Sequence, residues 1–258
     1  MTNDFNEQHI SRIETMWSMV RSAQSPDASH SKSARQQMLD RYGAAIKRYL
    51  MGATRNEDLA DDLFQEFAVR FLTGKYDSAD AERGRFRSFL KTILFRLVAE
   101  HHRRKGRDKL VALGSQMPDA ADEQTSNTDS DSDFNKVWSE ELLKKAWSAL
   151  AQLEERTGRP LFSLMQLKVE NPDMKSPEIA EAISIRTGKP ISTGNARVLL
   201  HRARDQFADL LVDEVQQSLD NCSLERLADE LRDLNLYAYC KPAIERRSGS
   251  GESTEAQD

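Results

Sequence analysis

The sequence predicts an all-α protein with two small helical domains joined by a flexible acidic linker. Apolar residues recur every three or four positions along most of the 258-residue chain, which is the spacing of amphipathic helices. Glycine and proline are sparse, with 11 and 7 residues, and fall mainly between the periodic segments. One stretch, residues 110–135, loses the periodicity and is rich in aspartate. These observations predict two helical domains on either side of an irregular segment.

Composition narrows the class of protein further. The chain has 42 acidic and 37 basic residues and a formal net charge of −5. It has no apolar run of about eighteen residues, the length that a membrane-spanning helix needs. Its polar start, MTNDFNEQHI, lacks the apolar core of a signal peptide. Cys222 and Cys240 lie outside any CxxC pattern. We therefore expect a cytoplasmic protein with two ordinary thiols and no membrane contact.

The first helical domain is predicted over residues 34–109. It follows an N-terminal segment, residues 1–33, that allows one short helix at Ile10–Val20. The first helix of the domain starts near Ala34 and ends near Gly52. Its buried face is predicted to comprise Met38, Leu39, Tyr42, Ile46, Tyr49 and Leu50.

The second helix is expected to begin after Asn56, a favourable N-cap. Its buried stripe comprises Leu59, Leu63, Phe67 and Phe71. Acidic and polar residues lie away from this stripe, and they are Asp58, Asp61, Asp62, Gln65 and Glu66. A protein partner with a basic surface could bind this face. Two alternatives stay open: a divalent metal shared by Asp62 and Glu66, for which no second ligand cluster is found, and a solvated surface.

A third helix is predicted from Phe86, where an apolar stripe runs into a dense basic cluster. The stripe comprises Phe86, Phe89, Leu90, Ile93, Leu94, Leu97 and Val98. The basic residues around and after it are Arg83, Arg85, Arg87, Lys91, Arg96, Arg103, Arg104, Lys105, Arg107 and Lys109. In an acidic chain this local excess of positive charge favours a polyanion, most simply the nucleic acid backbone. The alternative is a solvated basic helix end.

The linker, residues 110–135, is predicted to be disordered because it carries acids and no basic residue. Its acids are Asp119, Asp122, Glu123, Asp129, Asp131 and Asp133. The second domain is predicted over residues 136–212 and ends in a helix–turn–helix. The first helix of that pair starts at Ser176-Pro177-Glu178, and the second starts at Ser192 or Thr193.

The second helix of a helix–turn–helix enters the major groove, and its first turns reach base edges. The candidate DNA-binding residues on it are Asn195, Arg197, His201, Arg202 and Arg204. Asn195 and Arg197 are the best placed to reach bases. A lone pattern of this kind is only moderately specific, because many helical pairs resemble it.

Residues 213–247 are predicted to form a helical extension, with a break at Asn221 and a helix capped by Ser223. Residues 248–258 are predicted to be a disordered tail. Two roles stay open for the extension. It could be a buttress packed on the second domain, or a regulatory module that binds a partner.

The order of these segments resembles a bacterial extracytoplasmic-function sigma factor. The matching segments are DLADDLFQEFAVRF, RFRSFLKTILFRLVAEHHRRKGR, and PEIAEAIS with ISTGNARVLLHRAR. The resemblance covers residues 34–212 and implies a transcription initiation subunit that binds core RNA polymerase and promoter DNA. An anti-sigma factor or another regulator is a further candidate partner. No nucleophile, general base or metal set assembles, so no enzymatic activity, metal or cofactor is predicted.

The resemblance also implies roles for the candidate residues. The acidic helix would bind the polymerase through Asp58, Asp61, Asp62, Gln65 and Glu66. The loop and the basic helix would bind and melt the minus-ten element through Tyr76, Arg83, Arg85, Arg96, Arg103, Arg104 and Lys105. The helix–turn–helix would read the minus-thirty-five element through Asn195, Arg197, His201, Arg202 and Arg204.

The chain departs from the family pattern in three places. The turn SIRTGKPISTGN is long, Leu199 is apolar where the family often has a basic residue, and the chain continues past the usual end. The alternative function is a helix–turn–helix regulator or helical adaptor that does not engage polymerase. The acidic helix favours the sigma factor, because a plain repressor has no need of it.

Overall fold

The computed structural model describes residues 28–76, 85–112, 127–219 and 223–251, and every regular element in these ranges is a helix. The helices are α1 (Ala28–Thr54), α2 (Glu57–Leu72), α3 (Phe86–Ala112), α4 (Asn127–Thr157), α5 (Leu161–Glu170), α6 (Ser176–Thr187), α7 (Thr193–Gln216), α8 (Leu224–Asp233) and α9 (Tyr237–Gly251). The predicted all-α class is confirmed. The short helix expected at Ile10–Val20 lies outside the described ranges. None of the described helices is long and apolar enough to cross a membrane.

The chain divides into two compact units. The first unit contains α1, α2, α3 and α4 as far as Trp138, with a short segment that begins at Gln217. The second unit contains α4 from Ser139, then α5, α6 and α7, and the C-terminal helices α8 and α9.

Three amphipathic helices form the core of the first unit. The predicted face of α1 is buried in full, with each side chain 8% exposed or less. Helix α2 buries Leu63 and Phe67, and α3 buries Phe86 and Leu90, so the predicted stripes are confirmed at their centres. A Cβ placed on Gly43 of α1 would lie 3.3 Å from the ring of Phe64 on α2. A residue without a side chain therefore lets these two helices approach closely.

Helix α1 continues two residues beyond Gly52, where the sequence predicts its end. The left-handed position is taken by Arg55, with φ of 52°, and not by the glycine. The Arg55 N–H still donates to the Met51 carbonyl at 2.8 Å. Asn56 then starts α2, because its Oδ1 accepts a hydrogen bond from the Leu59 N–H at 2.9 Å. The predicted N-cap is confirmed.

Helix α4 begins at Asn127, inside the segment predicted to be a disordered linker. That prediction is wrong for residues 127–135, and also for residues 110–112, which form the end of α3. The acidic linker residues within 113–126 lie outside the described ranges. Composition was misleading here because the acidic stretch ends in aromatic residues that the first unit buries.

Those aromatic residues are Phe134 and Trp138, which are 2% and 1% exposed. Trp138 stacks on the Tyr42 ring of α1, with centroids 4.7 Å apart and planes 3° apart. Phe134 packs edge-on against Tyr49 at 5.0 Å. The Arg48 side chain also donates to the Val137 carbonyl at 2.8 Å. The segment of α4 from Phe134 to Trp138 therefore packs in the core of the first unit.

In the second unit, Trp147 of α4 lies between two other rings. It meets Phe162 of α5 edge-on at 5.7 Å and Phe207 of α7 at 5.0 Å. At the end of α4, the Glu154 carboxylate accepts the Ser163 N–H at 2.8 Å. This bond satisfies a backbone donor in the first turn of α5, whose preceding residue, Pro160, has no side chain that could cap it.

The C-terminal extension is helical, as predicted. Ser223 caps α8, because its Oγ accepts the Arg226 N–H at 3.2 Å. Helix α8 ends at Asp233, and two residues later Asn235 takes a left-handed φ of 57°. The Leu236 N–H bonds the Leu231 carbonyl at 2.8 Å. This is a Schellman ending with asparagine in place of glycine.

Helix α9 lies mostly within the predicted helical extension, but it was not distinguished as a separate helix, because YAYCKPAIERR has a proline inside it and a weak apolar pattern. The helix also extends to Gly251, so the predicted disordered tail is wrong for residues 248–251. Helix α9 packs along α7. Arg246 pairs with Asp209 at 2.9 Å and Arg247 with Asp213 at 2.6 Å.

Candidate nucleic-acid interface

The predicted acidic face lies on the outside of α2. Asp58, Asp62 and Gln65 are exposed. Asp61 is half-buried and forms an ion pair with Lys47 of α1, with Nζ and Oδ1 2.8 Å apart. The hydrogen bond to Asp61 raises the pKa of Lys47. The exposed members of the face are therefore available to a partner, whereas Asp61 already has a cation beside it.

Glu66, the last predicted member of the acidic face, belongs to a charged quartet formed by Glu66, Arg70, Glu100 and Arg104. Arg70 pairs with Glu66 on its own helix and reaches Glu100 on α3 at 3.1 Å. Arg104 pairs with Glu100 and lies 3.6 Å from Glu66. The hydrogen bond from Arg70 is the main cause that lowers the pKa of Glu100. The quartet thus joins the acidic helix to the basic helix.

Tyr76, a predicted base-binding residue, lies at the inner edge of this quartet. Its ring stacks on Phe67, with centroids 6.1 Å apart, and its hydroxyl lies close to the Arg70 guanidinium. Burial raises the pKa of Tyr76. The ring is held against the core of the first unit in this state. Arg83, predicted to act in the same loop, lies outside the described residues.

The basic end of α3 is mostly exposed. Arg96, Arg103 and Lys105 lie on the surface, and Arg85 is half-buried at the start of the helix. Arg87 differs from the expectation of a basic surface residue, because it is 4% exposed and donates a hydrogen bond to Asn135 of α4.

The helix–turn–helix of the second unit is formed by α6 and α7, joined by residues 188–192. The turn is shorter than the sequence suggests, because α6 continues to Thr187. Gly188 ends α6 with a left-handed φ of 65°. The Ile191 N–H donates to Ser184 Oγ at 2.8 Å, and Ser192 Oγ accepts the Asn195 N–H at 3.2 Å. These bonds fix the start of α7 where the sequence predicts it.

The predicted DNA-binding residues of α7 are all exposed, and they are Asn195, Arg197, His201, Arg202 and Arg204. Arg197, His201 and Arg204 follow one another at i, i+4 and i+7, so they lie along one stripe of the helix. The Nδ1 atom of His201 is 2.7 Å from Asp205 Oδ2. The C-terminal extension reaches α7 from Arg204 onward, where the Tyr239 hydroxyl donates to the Arg204 carbonyl at 3.4 Å.

Comparison with known families matches residues 38–108 to sigma-70 region 2. This part of the chain is therefore similar to a sigma-70 region 2 domain. The match begins on the buried face of α1, includes all of α2 and continues along α3 to residue 108. The acidic face, the quartet and the exposed basic end of α3 therefore all lie inside the matched region. No similar curated protein and no similar solved structure was found.

Sequence reasoning missed two residues that organise the surface of this sigma-70 region. Arg70 and Glu100 connect the acidic face to the basic helix. Neither was proposed as a site residue, because the acidic face and the basic cluster were each recognised from other residues. Their pairing depends on how α2 packs on α3, and spacing along one helix does not contain that information. The spacing of Glu100 and Arg104, at i and i+4, was the available signal.

The second unit adds Arg159, an exposed residue between α4 and α5. It lines one shallow cavity with Arg202 of α7 and with the carboxylates of Asp205 and Asp209. Leu199, apolar where a basic residue was expected, packs against the helix–turn–helix core that contains Ile183 and Ala196. Its apolar character is therefore explained by packing.

The alternative of a metal held by Asp62 and Glu66 finds no support in the geometry. The Glu66 carboxylate contacts the guanidinium groups of Arg70 and Arg104. In the part of the chain that the structure describes, no group of three or more His, Cys, Asp or Glu side chains could hold a metal ion.

Proposed function

We propose that the protein is a sigma factor of the extracytoplasmic-function type that binds core RNA polymerase and directs promoter recognition and DNA melting. The observation that carries the proposal is the sigma-70 region 2 match at residues 38–108. The helix–turn–helix of the second unit supports it, because the second helix of such a motif enters the major groove and would supply a second DNA contact.

The acidic face of α2 is the proposed polymerase-binding surface. Asp58, Asp62 and Gln65 are exposed, and Glu66 is 33% exposed. Charged side chains on such a rim steer association and select the partner more than they determine its affinity. A basic helical surface on the polymerase fits this arrangement of charges.

The exposed basic residues of α3 are the proposed minus-ten contacts. Arg96, Arg103 and Lys105 can neutralise backbone phosphates, which contributes sequence-independent affinity. Tyr76 offers an aromatic plane for a base that leaves the stack, but it must first leave its position on Phe67. We assign Arg83 and Arg85 to the same site as supporting cations.

Exchanging Asp62 for lysine is expected to weaken assembly with core RNA polymerase by about tenfold or more, because it places like charges opposite each other. Assembly is measured by pull-down with core polymerase, and function by run-off transcription on genomic fragments. The matched control is Asp40→Lys, which makes the same charge change at an exposed site on α1. It should assemble like the parent.

Equal assembly of both variants would show that α2 is not the polymerase-binding helix. A parent protein that binds DNA but neither assembles with polymerase nor supports run-off transcription would favour the helix–turn–helix regulator instead. These two outcomes are distinct, since the first leaves transcription intact and the second abolishes it.

On α7, Arg197→Ala and Arg204→Ala are expected to change DNA binding in different ways. Arg197 lies in the first turns, which reach base edges, whereas Arg204 lies about 10 Å further along the helix axis. Loss of Arg204 should weaken binding to all sequences and reduce the logarithmic salt slope by about 0.9. Loss of Arg197 should change the sequence preference. Selection of bound fragments from a random duplex pool, followed by salt titration, separates the two effects. Identical selected sequences for the parent and Arg197→Ala would make Arg197 a backbone contact.

A further inference from the structure

The quartet contains two carboxylates and two guanidinium groups, so its formal charge is zero. Each carboxylate is shared. Glu66 contacts both Arg70 and Arg104, and Glu100 also contacts both. A change at one carboxylate therefore alters the electrostatic surroundings of both arginines.

Two members of the quartet belong to surfaces for which we propose different partners. Glu66 lies on the acidic face of α2, which we assign to polymerase. Arg104 lies on the basic end of α3, which we assign to DNA. Their side chains are 33% and 51% exposed, so a partner can reach each of them.

The two arginines are not equivalent. Arg70 is only 17% exposed, bonds Glu100 and lies close to the Tyr76 hydroxyl. Arg104 is the more exposed of the two and lies beyond the apolar stripe of α3. If the charge of Glu66 is taken up elsewhere, both arginines are left to Glu100, each on its own carboxylate oxygen. The quartet then carries one net positive charge, and Arg104 is the arginine exposed enough to present it to a partner.

We infer that Glu66 couples the two surfaces: a cationic partner on the acidic face withdraws Glu66 from the quartet, which then carries one net positive charge that the exposed Arg104 presents to a DNA phosphate. This inference rests on the proposed function. In the free protein the quartet keeps Arg104 neutralised, so the basic end of α3 binds DNA with fewer phosphate contacts than its sequence suggests. Occupation of the acidic face adds one contact.

The test compares Glu66→Gln with Asp62→Asn in the full chain. Each variant removes one negative charge from α2, but Asp62 is exposed and lies outside the quartet. The probe is a fluorescein-labelled duplex with an unpaired central segment, titrated at several salt concentrations. We expect Glu66→Gln to bind this duplex about five- to tenfold more tightly than Asp62→Asn near 0.1 M salt. The slope of its logarithmic affinity against logarithmic salt concentration should be steeper by about 0.9. Both variants should assemble less well with core polymerase.

Equal affinities and equal slopes for the two variants would overturn the inference. If Glu66→Gln proves less stable in a thermal melt, Glu100→Gln provides the same comparison from α3, because it also leaves two arginines to one carboxylate. The proposed function is judged separately by run-off transcription with the parent protein. An active parent with no difference between the variants refutes only the coupling. An inactive parent refutes the proposed function, even where the variants differ in DNA affinity.

Discussion

Replacing Trp138 with alanine is expected to destabilise the first unit by about 3–5 kcal/mol, the range for a large aromatic residue removed from a core. The side chain is 1% exposed and packs against three other rings, those of Tyr42, Phe86 and Phe134. Its loss would leave a cavity between α1, α3 and the start of α4. Urea unfolding of the full chain, followed by circular dichroism in the helix band, measures the change.

Trp138→Phe is the matched control. The indole Nε1 is buried and has no hydrogen-bond partner among the described residues, so a phenyl ring loses contact area but no polar bond. Trp138→Phe should therefore lower the free energy of unfolding much less than Trp138→Ala does. If Trp138→Ala lowers the free energy of unfolding by less than about 1 kcal/mol, α4 does not pack in the first unit, because removal of a fully buried tryptophan destabilises a protein by more than that.

Removing residues 223–258 is expected to unfold the second unit or make it aggregate. Helices α8 and α9 bury Leu227, Leu231 and Ile244, and α7 buries Leu211 and Val212 completely. Because α9 packs along α7, its loss exposes part of this surface to water. The measurement is the thermal melt and the soluble fraction of the truncated protein.

Two further variants sharpen the test of the C-terminal extension. Leu231→Ala should lower the free energy of unfolding by about 2–5 kcal/mol, because the side chain is 0% exposed. Removal of residues 252–258 alone should leave the melt unchanged. A protein without residues 223–258 that melts like the parent would show that the extension is a separate module and not a buttress.

The sequence predicted the elements whose apolar period is uninterrupted. The faces of α1, α2 and α3 follow directly from spacing, and the caps at Asn56 and Ser223 follow from side-chain chemistry. Prediction from the sequence failed where acidic residues or a proline stood beside apolar residues in the same helix. The acids before Phe134 predicted disorder, although Phe134 and Trp138 of the same helix are buried in the first unit. Pro242 concealed α9 in the same way.

The candidate site was predicted as separate surfaces, because charge and spacing along one helix are visible in a sequence. The contacts between surfaces were not. The approach of Arg70 to Glu100, the stacking of Tyr76 on Phe67 and the burial of Arg87 beside Asn135 all depend on tertiary packing. Leu199 shows the opposite case, since an apparent departure from a family pattern proved to be a core position.

The burial of Cys240 determines how its thiol reacts. Its thiol is 0% exposed, and burial raises its pKa to about 12. Only a thiolate reacts readily with peroxides, disulfides or alkylating agents. Oxidants therefore react poorly with this residue while the second unit is folded. Once α9 detaches from α7, the same sulfur becomes accessible and its labelling records that opening.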